Sequence, residues 1–115
     1  MDNVILRKSY RFAVRITNLC KYLQTSKREY VISKQLLRAG TSIGANVAES
    51  QQAQSTTDFI SKLNIALKEA SETNYWLNLL KDTDYLSYRE FRSIHADCIE
   101  ILKILSAIIR TSKTS

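Results

Sequence analysis

The chain contains no proline and only two glycines, Gly40 and Gly44, which stand four positions apart within a stretch of helical periodicity. A glycine inside a helix costs roughly 1 kcal/mol relative to alanine, so a pair at this spacing needs a compensating role. The two positions fall on one row of an α-helix and have small neighbours, which would let another backbone approach closely. The sequence therefore predicts a close helix contact here, and we assign Gly40 and Gly44 to an interface between copies of the chain.

Helical periodicity continues along nearly the whole chain and is interrupted three times. Each interruption carries a serine followed three residues later by a carboxylate, the pattern of a capping box. The three pairs are Ser26/Glu29, Ser55/Asp58 and Ser87/Glu90. The predicted helices cover residues 4–24, 27–51, 56–82 and 88–111. Because short connections between long helices favour antiparallel neighbours, we predict an all-α fold, a single up-down-up-down four-helix bundle over residues 1–115.

The composition is that of a globular protein, with 44% hydrophobic and 24% charged residues. No run approaches the roughly 20 apolar residues that a membrane span needs, and the first residues lack the pattern of a signal peptide. Cys20 and Cys98 each fall in phase with apolar neighbours, so we expect buried, free thiols. We therefore expect a cytoplasmic protein without a metal, a cofactor, a membrane contact or a small-molecule substrate.

The basic charge is concentrated in the first third of the chain. Residues 1–40 hold nine of the 17 basic residues but only two of the 11 acidic ones. Arg7, Arg11 and Arg15 are spaced four apart, opposite the apolar face of the first predicted helix, and guanidinium groups in a row suit phosphate oxygens. The sequence predicts binding to RNA or DNA here, with a merely solvated helix face as the alternative. The candidate contacts are Arg7, Lys8, Arg11, Arg15, Lys21, Lys27, Arg28 and Lys34.

A polar row lies beside the apolar arc of the second predicted helix. An active site would need a base or a nucleophile in this row, and none is present. We interpret the row as a hydrogen-bond network that fixes the register of two helices, or as a subunit contact. Its members are Gln35, Arg38, Ser42, Asn46 and Glu49, and the predicted partners are Glu69, Glu72 and Asn74 of the third helix.

The third predicted helix has more apolar surface than one bundle core requires. Ile65, Trp76 and Leu79 point away from the face that holds Leu63. Apolar residues on two sides of a surface helix indicate a second partner, so we predict a homo-oligomer that uses these three residues. The alternative is a module that binds another protein through these faces and makes no nucleic-acid contact.

His95 is the single histidine, and Arg89 precedes it in the last predicted helix. This spacing is similar to the loose arginine–histidine pattern of the helical ribonuclease domains called HEPN, which makes a ribonuclease a minor alternative. The two positions lie about 120° apart on an ideal helix. We interpret His95 as a structural residue at the edge of the core and predict that the chain is not an enzyme.

The second predicted helix carries a family motif. Its residues are Arg38, Ala39, Ser42, Ile43, Asn46, Val47, Ala48 and Glu49, and the likeness continues to Glu72. The run resembles the signature of bacterial four-helix-bundle proteins encoded in intervening sequences of 23S ribosomal RNA genes. The resemblance implies a bundle that associates into a homo-oligomer, a pentameric ring, and it brings no catalytic residue. For the signature residues it implies a structural or interface role.

The resemblance extends to accessory proteins of diversity-generating retroelements, which bind nucleic acid and a reverse transcriptase. It therefore also implies a protein partner of that kind.

Two positions depart from the family pattern. Ser50 stands where the family has glycine, so we expect the second helix to continue into Gln51 and Gln52. Ala53 and Gln54 replace two basic residues, which leaves the first helix as the stronger candidate for phosphate contacts.

Overall fold

The computed structural model describes residues 3–114, which form four helices and no strand. The helices are α1 (Val4–Thr25), α2 (Ile32–Ser50), α3 (Thr56–Asp82) and α4 (Tyr88–Thr114). Each helix packs against the next one, and α4 returns to α1, where the contact is sparsest. Within the described range the backbones of diagonally opposite helices stay apart, so the four helices stand at the corners of a square. The predicted four-helix bundle is confirmed.

One hydrophobic core runs along the bundle and receives side chains from every helix. Phe12 and Ile16 of α1, Ile43 of α2 and Leu63 of α3 are almost completely buried in it. On α4 a strict heptad would continue from Leu105 to Ile108, but Ile109 is the buried residue at that end. A straight helix has 3.6 residues per turn and drifts away from a strict heptad, which moves the core position by one residue at the end of α4.

The two glycines of α2 face α1 of the same chain. A Cβ atom on Gly40 would stand 2.7 Å from Cγ2 of Ile16, and one on Gly44 would stand 3.2 Å from the backbone oxygen of Ser9. The predicted close contact therefore lies inside the bundle. Gly40 is buried there, which corrects its assignment to an interface between copies: Ile16 already fills the space that the missing side chain leaves. Gly44 is half-buried.

The first capping box was predicted wrongly. The backbone N–H of Ser26 closes α1 on the carbonyl of Tyr22, and α2 begins only at Ile32. Glu29 itself caps α2, because its buried carboxylate accepts hydrogen bonds of 2.7–3.1 Å from the backbone N–H groups of residues 31, 32 and 33. Arg28 turns the chain between the helices with a left-handed φ of 54°.

The starts of α3 and α4 follow the predicted caps. The Ser55 hydroxyl accepts the N–H of Asp58 at 3.0 Å. The second pair is reciprocal: the Ser87 hydroxyl accepts the N–H of Glu90 at 3.1 Å, and the Glu90 carboxylate accepts the N–H of Ser87 at 2.8 Å. The bond from the Ser87 backbone is the main cause that lowers the pKa of Glu90. These contacts are the capping-box geometry.

Helix α2 ends without a glycine at Ser50, the position where the signature that this chain resembles has one. The helix stops at Ser50, so the predicted continuation into Gln51 and Gln52 is wrong. The N–H of Gln51 bonds the carbonyl of Ala48, and the N–H of Gln52 bonds that of Glu49. These i→i+3 bonds tighten the last turn with Gln51 at a right-handed φ of −69°, so no left-handed residue is needed.

We expect Gly40→Ala to lower the free energy of unfolding by about 1–2 kcal/mol, because overpacking against Ile16 exceeds the gain in helix propensity of roughly 1 kcal/mol. Urea unfolding followed by circular dichroism measures this. In an Ile16→Ala background the γ carbons that clash are gone, so the same Gly40→Ala change should be neutral or stabilising. Equal effects in both backgrounds would contradict the contact.

Candidate nucleic-acid interface

Two of the eight candidate cations are paired with α4. Lys8 Nζ lies 3.1 Å from Glu100 Oε1. Arg15 Nη1 lies 2.6 Å from Asp97 Oδ2, and its Nη2 donates to the hydroxyl of Ser93 at 3.0 Å. These ion pairs cross the α1–α4 seam, where the helices touch least. The sequence had placed both cations on a phosphate-binding face without a compensating charge, and the structure supplies that charge.

The seam itself is a polar groove of about 170 Å³, lined by Lys8, Arg11, Asp97 and Glu100 over the apolar floor of Phe12 and Ile101. Its ion pairs are half-exposed, so each is worth less than about 1 kcal/mol. Asp97 and Glu100 stand three apart on α4, a spacing that could have revealed the acidic stripe, but only with knowledge of which helix faces α1.

Arg7 and Arg11 border a different groove, between α1 and α2. Its volume is about 620 Å³, and it is mostly apolar because Leu6, Tyr10, Gly44 and Ala48 contribute to its lining. Tyr10 is 70% exposed beside it. The three arginines of the predicted row therefore belong to different surroundings, and they do not form one uniform phosphate-binding strip.

The remaining four candidates lie at one end of the bundle, around the α1–α2 connection. They are Lys21, Lys27, Arg28 and Lys34. All four are exposed, and none is within 4 Å of a carboxylate oxygen among residues 3–114. The antiparallel order brings the first turns of α4 to the same end, where Arg89 and Arg92 are exposed as well. We call these six residues the cationic end.

The two segments that carry the cationic end come together near Glu90. Besides the Ser87 backbone, a hydrogen bond from Tyr22 and the charge of Lys27 lower the pKa of Glu90. The start of α4 therefore lies against the end of α1. Sequence reasoning missed Arg89 and Arg92 as part of this surface because they are distant in the chain, although the predicted up-down order places both segments at one end.

The acidic residues nearest to the cationic end are engaged with the backbone. Glu29 is buried and bonded to three N–H groups of α2, and Glu90 is bonded to Ser87. Asp82 and Asp84 are exposed on the α3 side, and Asp82 has Lys81 as a partner at 3.6 Å. Positive charge therefore dominates the side formed by α1, α2 and α4.

The signature residue Arg38 joins α2 to α3. Its Nη1 donates to Glu69 Oε2 at 2.8 Å and its Nη2 to Glu72, which also accepts the indole N–H of Trp76 at 3.2 Å. The interpretation of this row as a network between the two helices holds for these partners. The predicted third partner, Asn74, is wrong: it bonds His95 and Asn78.

Other members of the polar row stay on their own helix or at the surface. The Ser42 hydroxyl bonds the carbonyl of Arg38 at 2.6 Å, and the Asn46 amide bonds the carbonyl of Ser42 at 2.8 Å. Glu49 has a long contact of 3.9 Å to Lys62 of α3. Gln35 is exposed, and the signature residues Ala39 and Ile43 are buried in the core. The signature is thus mainly a structural pattern.

The three apolar residues predicted to face a second copy differ in exposure. Ile65 is 41% exposed and lines a shallow groove of about 460 Å³ on the outer side of α3. Trp76 is half-buried and packs against the core while its N–H reaches Glu72, so it is part of the fold. Leu79 is half-buried. Ile65 alone retains the open position that was predicted for the group.

His95 connects α4 to α3. Its Nε2 lies 2.9 Å from Asn74 Oδ1, an acceptor, so Nε2 carries the proton, and its ring stacks on Phe91 at 4.5 Å. Lys81 Nζ stands 4.4 Å from the centre of the Phe91 ring. Burial first and the charge of Lys81 second lower the pKa of His95. Arg89 is not among the partners of His95 within the described residues.

Both cysteines are free and buried, as expected. Cys20 donates to the carbonyl of Ser33 and Cys98 to that of Ala70. Burial raises the pKa of each thiol to about 12, with smaller contributions from Glu29 for Cys20 and from Asp97 for Cys98. No helix among residues 3–114 is both long and apolar enough to cross a membrane.

Comparison with known proteins gives one family model and a similar solved structure. The family model described as 23S rRNA-intervening sequence protein matches residues 1–107. A protein with unknown function from the S23 ribosomal protein family of Bacteroides thetaiotaomicron VPI-5482, known from its crystal structure, is 57% identical. The match covers 91% of this chain and 97% of that chain, with a TM-score of 0.90. No match was found among the curated proteins.

We expect His95 to make stability depend on pH near neutrality. Because its pKa in the folded state lies below the unfolded value, the unfolded chain binds the proton more tightly, and stability should fall as the pH drops below about 6.5. His95→Gln keeps a donor for Asn74 but does not titrate, so it should flatten the change in urea midpoint between about pH 7.5 and about pH 5.5. Parallel curves for both proteins would contradict this role.

Proposed function

The chain belongs to the family of 23S rRNA-intervening sequence proteins, and on that premise we propose that it is a non-enzymatic, self-associating bundle that binds RNA or DNA through its cationic end. The observation that carries the proposal is a group of six exposed cations brought together from two distant segments of the chain. Phosphate oxygens are the partners that such a group suits best. A cytoplasmic location is part of the proposal.

The division of the basic residues supports the cationic end over the rest of α1. Lys8 and Arg15 would have to give up ion pairs with α4 before they could bind phosphate. Near the cationic end the carboxylates of Glu29 and Glu90 keep their charge, but the six exposed cations outnumber them, so the net charge still attracts phosphate. Electrostatic attraction of this kind is independent of nucleotide sequence.

The absence of an enzymatic role is also a proposal, and it is supported by the surroundings of His95. The imidazole is hydrogen-bonded to Asn74 and stacked on Phe91, and burial, with the charge of Lys81, lowers its pKa. A general acid needs a proton that it can donate to substrate, and here the ring N–H is committed to a neighbouring helix. Arg89 contributes its charge to the cationic end.

We expect Lys27→Ala/Lys34→Ala to weaken binding of a fluorescein-labelled RNA in an anisotropy titration. Each lost phosphate contact should also reduce the slope of log K against log salt by roughly 0.7 to 0.9. Lys103→Ala/Arg110→Ala removes the same charge from exposed positions elsewhere on α4 and should change the affinity much less.

A second pair of variants distinguishes the cationic end from the α1–α4 seam. Asp97→Asn/Glu100→Gln releases Lys8 and Arg15 and raises the net charge by two. If the cationic end is the site, the affinity for RNA should rise only slightly, because the added net charge of two attracts any polyanion without creating a new contact. A gain that Lys8→Ala/Arg15→Ala then abolishes, and that the charge-matched Lys103→Ala/Arg110→Ala leaves in place, would move the site to the seam. No binding by any variant at low salt would refute the proposal.

Self-association is supported by two apolar faces on different sides of the molecule. One is the α1–α2 groove with Tyr10, Gly44 and Ala48, and the other is the outer side of α3 around Ile65. Two different patches on one protomer favour head-to-tail contacts, which close into a ring when the rotation permits. The homopentamer that the resemblance implies is an assembly of this type.

We expect Ala48→Arg to shift the protein toward the monomer in light scattering coupled to size exclusion. Ala48 is exposed, so the fold should tolerate the change, while a long cationic side chain would obstruct the α1–α2 groove. Tyr88→Ser, at the cationic end, serves as a control that should leave the mass unchanged. A monomeric wild type would contradict self-association and favour the alternative, in which another protein, such as a reverse transcriptase, covers these faces.

A further inference from the structure

We propose that the cationic end binds single-stranded nucleic acid, with unpaired bases stacked on Tyr30 and Tyr88. The inference rests on the proposed function and narrows its ligand. Tyr30 lies in the α1–α2 connection and Tyr88 is the first residue of α4. Tyr30 is 52% exposed and Tyr88 is 66% exposed, so the fold leaves more than half of each residue open to solvent.

Two other tyrosines at this end of the bundle are packed against the core, in contrast to Tyr30 and Tyr88. Tyr22 and Tyr85 belong to the same end of the bundle, and both pack against the core. The bundle therefore has room to cover aromatic rings here and covers two of them. Tyr30 and Tyr88 remain outside, where their apolar faces meet water instead of protein.

Each open ring is accompanied by positive charge in its own segment. Arg28 and Lys34 flank Tyr30, and Arg89 follows Tyr88 directly. The helix order places the start of α4 at the same end as the end of α1, and these two helices pack against each other, so both segments belong to one surface. Aromatic faces among cations that follow the backbone are the arrangement by which proteins hold single strands without reading their sequence.

A duplex does not use this combination. Its bases are stacked on one another and offer only their edges, so exposed tyrosine faces would gain little from it. Tyrosine and arginine are enriched in protein–protein interfaces as well, but lysine is depleted there. The three lysines near these rings therefore favour a polyanion with free base faces over a protein partner. A single strand can use both features, because its bases can stack on the tyrosines while its phosphates bind the cations.

The test compares a fluorescein-labelled oligouridylate of roughly 12 nucleotides with an RNA hairpin of equal charge, at low salt, by fluorescence anisotropy. We expect the single strand to bind roughly tenfold more tightly than the hairpin stem. Tyr30→Ser/Tyr88→Ser should lower single-strand affinity by roughly tenfold or more and leave the weaker hairpin binding unchanged. Tyr75→Ser, which alters an exposed tyrosine of α3, is the matched control and should have no effect.

Arg28→Gly separates binding from stability. Arg28 holds a left-handed φ of 54°, a conformation that glycine adopts without strain, so the variant should melt at the same temperature as the wild type or higher. It also removes one cation next to Tyr30. Weaker oligouridylate binding by this variant can therefore not be attributed to unfolding.

The outcomes distinguish this inference from the proposed function. Equal affinity for single strand and hairpin, with no effect of the tyrosine substitutions, would overturn stacking and leave nucleic-acid binding in place. An abasic strand of the same length that binds as tightly as oligouridylate would overturn it as well. Failure of the wild type to bind either RNA would overturn both, and the open rings would then be better explained by a protein partner.

Discussion

The close approach of α1 and α2 organises the molecule. Ile16 occupies the space that a side chain at Gly40 would need, so the two helices meet at a distance that larger residues do not permit. The opposite edge of α1 is more open, and ionic side chains bridge it to α4. A tight apolar edge and a loose ionic edge on the same helix explain why the basic residues of α1 have such different surroundings.

The surroundings of a basic residue in this protein consequently depend on where it lies along the bundle. Where α1 runs along α4, carboxylates neutralise its cations at distances of 2.6 and 3.1 Å. Where the chain turns from α1 to α2, the nearby carboxylate of Glu29 is directed into the backbone and caps a helix, which leaves the surrounding lysines and Arg28 open to solvent. Basic residues along the bundle thus form ion pairs between helices, whereas those at its end are free of such pairs in the part of the chain that the structure describes and are open to a ligand. The proposed function depends on this difference.

Much of the architecture could be predicted, because helical periodicity and capping residues are local properties of the chain. The start of α4 followed from Ser87 and Glu90 alone. The start of α2 did not, since Glu29 and Ser26 fit a capping box in sequence while the carboxylate instead reaches the N–H groups that follow it. Pairings between helices were less accessible still. The contacts of Asp97 with Arg15 and of Asn74 with His95 depend on helix rotation, which periodicity defines only to within a residue or so.

The two sulfhydryl groups divide the bundle into halves that can be observed separately. Cys20 bonds the carbonyl of Ser33 between α1 and α2, and Cys98 bonds that of Ala70 between α3 and α4. With a pKa of about 12, neither is a thiolate at neutral pH while it stays covered, so an alkylating reagent reaches it only when its helix pair separates. The chain thus carries a native reporter in each helical hairpin, and the order in which the two react would reveal which half opens first.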